Sequence, residues 1–280
     1  MEYSHRNTVW LKHLAISLIA FVMLYPVLWM LASSFKPGSQ IFSEIGLWSK
    51  KWVLTNYSQG WFATQGNSFS RYLMNSMTVS LGAVLGNVIS CSMAAYAFAR
   101  LKFSFKSIGF GLMLMTIMLP HHVTLIPQYI LFNKLGLVNS FFPLILPKWM
   151  ATDAFFIFLT IQFIRGLPRE LDEAATVDGC GPVQIYWRII LPLAVPALIT
   201  TTIFTFLWTW DDFFSQLIYL SDVTKFTVPL GLRLFLDSSS KSDWGPMFAM
   251  SVLSLIPCFA IFIVCQKYFV EGIATSGIKG

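Results

Sequence analysis

Residues 170–192 read ELDEAATVDGCGPVQIYWRIILP, a polar, helix-forming island between apolar runs long enough to cross a bilayer. Two short helices are legible in it. One opens at Pro168 and closes at Gly179; the other opens at Pro182 and ends before Pro192. Proline suits a first helical position because its missing N–H has no partner there anyway, and glycine suits the position just past the last turn. Glu170, Asp172 and Glu173 fall in the opening turns of the first helix, where carboxylates meet the positive end of the macrodipole. Leu171, Ala174 and Asp178 recur at i, i+3 and i+7. One face therefore joins a large apolar residue, a small residue and a carboxylate, a smooth surface of the kind that docks into a groove.

The rest of the chain places that island in a membrane. Of its 280 residues 56% are hydrophobic and 11% charged, with a mean hydropathy of +0.66, whereas a soluble domain carries about 25% charge. A crossing helix needs about 20 largely apolar residues. The gaps between charged residues accommodate about six such helices, at 13–33, 72–99, 107–130, 139–164, 193–220 and 245–267. The fourth is interrupted by Lys148 and Asp153, five apart and so poorly aligned to pair along one helix. The fold class expected is all-α: a polytopic membrane protein, a single domain over 1–280, with the two-helix loop at 165–192. Prolines 120, 127, 143, 147, 192, 196 and 257 fall in or beside the spans, where kinks and breaks are expected.

The net charge of +6 calls for no nucleic acid, since no basic run reaches the length of such a patch. Loop lysines and arginines beside lipid headgroups account for it. With both termini in the cytoplasm, ten of the 19 Lys and Arg lie inside, and three of these, Arg100, Lys102 and Lys106, crowd one short turn, which the positive-inside rule weights most. That orientation also puts 165–192 on the side where ATP is. The first apolar stretch lacks the small-x-small site of a cleaved leader and reads as an uncleaved anchor. The outer segment between Ser33 and Arg71 is rich in Trp48, Trp52, Tyr57, Trp61 and Phe62, aromatic residues of the type that gather at the membrane interface, and a short surface helix is expected there. Cys91, Cys180, Cys258 and Cys265 are scattered without a CxxC pair and read as small apolar packers.

Glu173, Ala174, Ala175, then Asp178 and Gly179, followed by Ile190, Leu191 and Pro192, resemble the EAA loop of permease subunits in binding-protein-dependent ABC importers. Further stretches resemble the carbohydrate branch of that family, which includes maltose and glycerol phosphate permeases: Trp210, Asp211, Asp212 and Phe213, and the C-terminal QKYFVEGIATSGIKG at 266–280. Asp211 departs from the branch, which often carries Asn there. The resemblance implies an inner-membrane permease of a bacterium. It would pair with a second permease chain, homologous or identical, with a heterodimer the expectation. Two ATP-binding subunits and an extracytoplasmic solute-binding protein complete the assembly. It also implies that the loop rests in a cleft of the ATP-binding subunit. Coupling residues carried over are Leu171, Glu173, Ala174, Ala175, Asp178, Gly179, Arg188 and Pro192, with Glu173 as the charged contact, Ala174 and Ala175 allowing close approach and Gly179 forming the turn.

No stretch matches the phosphate-cradling G-x-x-x-x-G-K-[ST] loop, and no Gly-Lys pair occurs. This chain is therefore expected to be non-catalytic and to hold no cofactor or metal, with ATP and Mg on the partner subunits. His121 and His122 point about 100° apart on a helix and cannot both face one metal. Trp208, Trp210, Asp211 and Asp212 mix aromatic rings and carboxylates, which can stack on sugar rings and hydrogen-bond their hydroxyls. The competing reading is a helix-packing cluster whose polar groups pair between spans. The implied cargo is a sugar, polyol or oligosaccharide; a peptide, amino acid or anion is the alternative within transport, and an intramembrane enzyme built on His121, His122 and Asp153 lacks any nucleophile-plus-base spacing.

Overall fold

The computed structural model describes residues 2–62, 66–236 and 243–276. Its helices are, in chain order, α1 (Glu2–Ser33), α2 (Thr55–Phe62), α3 (Phe69–Arg100), α4 (Lys106–Ile117), α5 (His121–Lys134), α6 (Phe142–Trp149), α7 (Ala154–Gly166), α8 (Glu170–Val177), α9 (Pro182–Ile185), α10 (Leu191–Leu193), α11 (Val195–Trp210), α12 (Phe214–Tyr219), α13 (Val228–Arg233) and α14 (Trp244–Ser276). No β-strand occurs among the described residues. The all-α expectation holds, with four helical stretches among the described residues long and apolar enough to cross a membrane, or six when each bent pair counts as one. Residues 277–280, the end of the C-terminal match, lie outside the described residues.

The breaks follow from local chemistry. The expected third span, 107–130, is two helices: α4 stops at Ile117, α5 starts at His121, and they meet at 105°. Pro120 precedes α5 in an extended conformation, and because it lacks an N–H the ladder of α4 cannot run through it. The expected fourth span is also broken. Pro147 sits in α6, and after Trp149 the chain turns through Ala151 at a φ of 53° before α7 begins. That turn carries Lys148 and Asp153 toward each other, and they form an ion pair of 2.7 Å. The five-residue spacing that disfavours pairing along a straight helix is no obstacle across a break. The expected fifth span, 193–220, ends its first helix at Trp210; the Asp212 carboxylate then accepts from the Ser215 N–H at 3.1 Å and starts α12.

The chain divides into two units. The first comprises Met1–Ser70 and Gly231–Ile256. Here the fully buried Lys36 donates to the Glu44 carbonyl at 2.6 Å and to that of Gly46, and Asn56 donates to the carbonyls of Ser34 and Lys36 at 2.8 and 2.9 Å. The expected short helix in this segment is α2. Gly60 packs on Met250 and Gly245 on Asn56, approaches that a Cβ at either glycine would block.

The second unit comprises Arg71–Leu230 and Pro257–Gly280. Its centre is α3, whose small residues admit close neighbours. A Cβ on Gly86 would fall 2.2 Å from the Trp149 ring, and the Trp149 indole N–H donates to the Gly82 carbonyl at 3.0 Å. Ser90 donates to the Lys148 carbonyl at 2.7 Å, so the backbone freed at the α6–α7 break is satisfied from a neighbouring helix, as the bilayer interior demands. Asn87 and Thr205 join α3 to α11 with a buried hydrogen bond of 2.8 Å. At the far end of α12, Asn139 at a φ of 60° accepts from the N–H groups of Ser221 and Asp222, and Lys225 donates to its carbonyl at 2.7 Å. The N–H of Thr224, donating to the Asp222 carboxylate, holds that carboxyl below its usual range.

Candidate functional site

The loop forms where the sequence indicates, as a hairpin of α8 and α9. Three acidic residues, Glu170, Asp172 and Glu173, occupy the first turn of α8. The helix ends in a closed turn: the Gly179 N–H donates to the Thr176 carbonyl at 3.0 Å and the Cys180 N–H to that of Ala175 at 2.9 Å. This paired pattern is the Schellman motif, and it needs a left-handed residue, here Gly179 at a φ of 83°. The next helix begins with Pro182 at its first position, and the Gln184 side chain reaches back to the Gly181 N–H at 3.0 Å.

The second helix does not end before Pro192. It widens into a π-turn over Tyr186–Ile190 and continues through Leu191–Leu193, passing Pro192. Proline removes one hydrogen bond and crowds the carbonyl four residues back; a π-turn ahead of it loosens the ladder at the point of crowding. The Ala194 N–H then donates to the Ile190 carbonyl at 2.8 Å, and α11 leaves after a bend of 74°.

One side of the hairpin is sealed into the unit's core. Ala175, Ile185, Tyr186 and Ile190 are buried with Ala95, Tyr96, Phe156 and Ile161 of α3 and α7. Ala175 is thus only 6% exposed and makes its close approach to this chain's own helices, away from the outer face of α8. The opposite side is open: Leu171, Glu173, Ala174, Asp178 and Gly179 are exposed, as are Arg188 and Pro192. Val177 and Val183, which sequence reasoning did not single out, are 87% and 70% exposed.

The hairpin is also fastened by polar groups that the sequence reading missed. Arg100, its side chain 5% exposed, forms an ion pair with Asp172 at 3.0 Å and donates to the Leu167 carbonyl at 2.8 Å. Tyr96 donates to the Pro182 carbonyl at 3.0 Å, and the Ser92 and Tyr186 hydroxyls are 2.8 Å apart. The spacing of four between Ser92, Tyr96 and Arg100 was the available signal.

The aromatic and carboxylate cluster near the end of α11 is not one site. Trp210 is buried and stacks on Phe206 at 5.4 Å, whereas Trp208, two positions away and so on the other side of the helix, is 53% exposed against Phe155 and Phe156. Asp212 is engaged at the start of α12 and Asp211 is exposed. The His122 ring lies edge-on to Phe214 with centroids 5.5 Å apart, while the side chain of His121 is outside what the structure describes.

The family model described as binding-protein-dependent transport system inner membrane component matches residues 86–275, a stretch that holds the C-terminal half of α3, the whole hairpin and α11. The chain belongs to that family. This permease is 36% identical over 278 residues to the probable ABC transporter permease protein YurM of Bacillus subtilis, covering 99% of this chain and 90% of that protein. It is 32% identical to the arabinooligosaccharides transport system permease protein AraQ of Halalkalibacterium halodurans, covering 97% and 96%. The fold is shared with a solved bacterial ABC transporter involved in the import of the acidic polysaccharide alginate: the TM-score is 0.80 at 21% identity, covering 95% of the permease and 98% of that chain. The permease is an ABC importer subunit of the inner membrane, and its residues 170–192 lie within the matched region.

Proposed function

We propose that this permease carries a sugar, polyol or oligosaccharide inward by alternating access, driven by ATP hydrolysis on separate subunits that dock on its hairpin at 165–192. The observation that carries the reading is the two-sidedness of that hairpin, with an acidic and aliphatic face open to a partner while the other face is locked into the helix bundle. A partner that grips the open face moves the bundle with it. Leu171, Val177 and Val183 offer the apolar contact, Glu173 and Asp178 the charge, and Ala174 lets a groove wall come close. The partners are a second permease chain, two ATP-binding subunits that hold ATP and Mg, and a solute-binding protein on the far side of the membrane. Both termini and the hairpin lie in the cytoplasm on this reading, and this chain itself holds no nucleotide.

The cargo class follows the relative named for arabinooligosaccharides. Contact with it is proposed at Trp208 and Asp211, the exposed members of the α11 cluster, because an open ring stacks on a sugar face and an open carboxylate accepts from its hydroxyls. Glu173→Lys reverses the central charge of the docking face without touching the core. The variant inserts in the membrane normally but loses co-purifying ATP-binding subunits and stimulated hydrolysis. Unchanged assembly and unchanged ATPase stimulation would remove the docking assignment.

A further inference from the structure

Neither of the hairpin's two covalent connections is a straight, continuous α-helix. Leu167, where α7 ends, is extended at a ψ of 142°, and beyond Ile190 the chain passes a π-turn and then bends by 74° into α11. No single hydrogen-bonded helical ladder runs from the hairpin into α7 or α11 to carry a push straight along its axis. The lateral attachment is different. Ser92, Tyr96 and Arg100 stand at i, i+4 and i+8 on one stripe of α3. They hold, in turn, the π-turn at Tyr186, the start of α9 at Pro182, and the entry of α8 at Leu167 and Asp172.

We propose that this stripe fastens the hairpin to α3 so that the two move as one body, making α3 the helix that carries the partner's push into the bundle, with Arg100 as its positioning residue. The proposal rests on the reading that an ATP-binding subunit docks on the hairpin. Arg100 is suited to the task because it acts on both sides of the non-helical entry, gripping the Leu167 carbonyl before it and the Asp172 carboxylate after it. A planar guanidinium has donors in several directions to do so, whereas an ammonium presents one point of charge. The pair is largely out of water, with side chains 5% and 20% exposed, so neither partner is easily left alone. Tyr96 and Tyr186 add ring packing at 5.4 Å, and Ala175, Ile185 and Ile190 fill the space between the polar anchors.

The test uses the complete complex with its ATP-binding subunits in lipid nanodiscs, in a cysteine-free background. Spin labels are placed at Trp187 on the hairpin and Met93 on the open face of α3, positions 55% and 53% exposed. The wild-type pair gives one narrow distance distribution, the same without nucleotide and with ATP and vanadate. Arg100→Gln broadens or shifts it in the vanadate state and lowers ATP-hydrolysis coupling by about two- to thirtyfold, the range seen for residues that relay a coupling. Arg100→Lys recovers part of both losses. Tyr96→Phe, which keeps the ring and removes only the hydroxyl bonded to Pro182, produces a smaller broadening and covers the case in which Arg100→Gln fails to fold. A wild-type distance that changes with vanadate, or Arg100→Gln and Tyr96→Phe distributions as narrow as wild type, overturns the proposal. ATP-binding subunits that fail to co-purify with the wild-type chain overturn the docking reading instead.

Discussion

At Gly179 the backbone sits at a φ of 83° with open space where a Cβ would go. The position therefore selects glycine by conformation and not by crowding. Gly179→Ala should cost about 1–2 kcal/mol, the penalty of the left-handed region for a residue with a Cβ, read as a lowered unfolding temperature in detergent or nanodiscs. Asn at the same position should recover most of the loss, since its side chain tolerates that region. An alanine variant as stable as the wild type would mean that the Schellman turn is not kept. Ala175 shows the reverse case. In the sequence it stands beside Ala174 as an equal member of the motif, yet the turn of the helix puts one outward and the other into the core.

Among the elements, the broken helices carry the most information. Lys148 and Asp153 meet at 2.7 Å across the α6–α7 break with side chains 26% and 25% exposed. Removing one leaves the other charged and unpaired in an apolar setting. For a fully buried pair that costs 3–5 kcal/mol, and at this degree of exposure we expect about 1–3 for Lys148→Met or Asp153→Asn. The double variant should cost less than the sum of the two, which a double-mutant cycle of unfolding temperatures measures. Additive losses would show that the two groups act independently. The prolines were legible as break points at Pro120, where α4 and α5 part, but Pro192 was misread as a terminus. A proline can be passed when the preceding turn widens, and nothing in the local pattern of residues 186–190 announces that the ladder will do so.

For the whole molecule, what matters is which surfaces remain open after the helices have packed. Residues 10–28 of α1 are exposed throughout, whereas α3 buries Tyr72, Val79, Ala83, Cys91, Ala95 and Ala99 within the chain. Along these residues α1 is left for lipid or another chain to cover, whereas α3 is packed by its own chain. The chain contains no phosphate-cradling loop, so on the proposed function proteoliposomes bearing it alone should hydrolyse no ATP. Hydrolysis should appear when the ATP-binding subunits are added and rise further with an oligosaccharide-loaded binding protein. Hydrolysis that ignores the binding protein would argue for a role outside import.

Composition and charge spacing were enough to fix an all-helical membrane chain with a polar two-helix hairpin, because apolar runs of about 20 residues fit a crossing helix and not the short alternating strands of a barrel, and because Pro182 and Gly179 act on their own neighbours. The face of the hairpin that is left open, the anchorage at Ser92, Tyr96 and Arg100, and the pairing of Lys148 with Asp153 were decided by tertiary structure. Each depends on a distance between residues remote in sequence or across a broken helix, and neither periodicity nor composition records how far apart two such groups end up once the spans have packed.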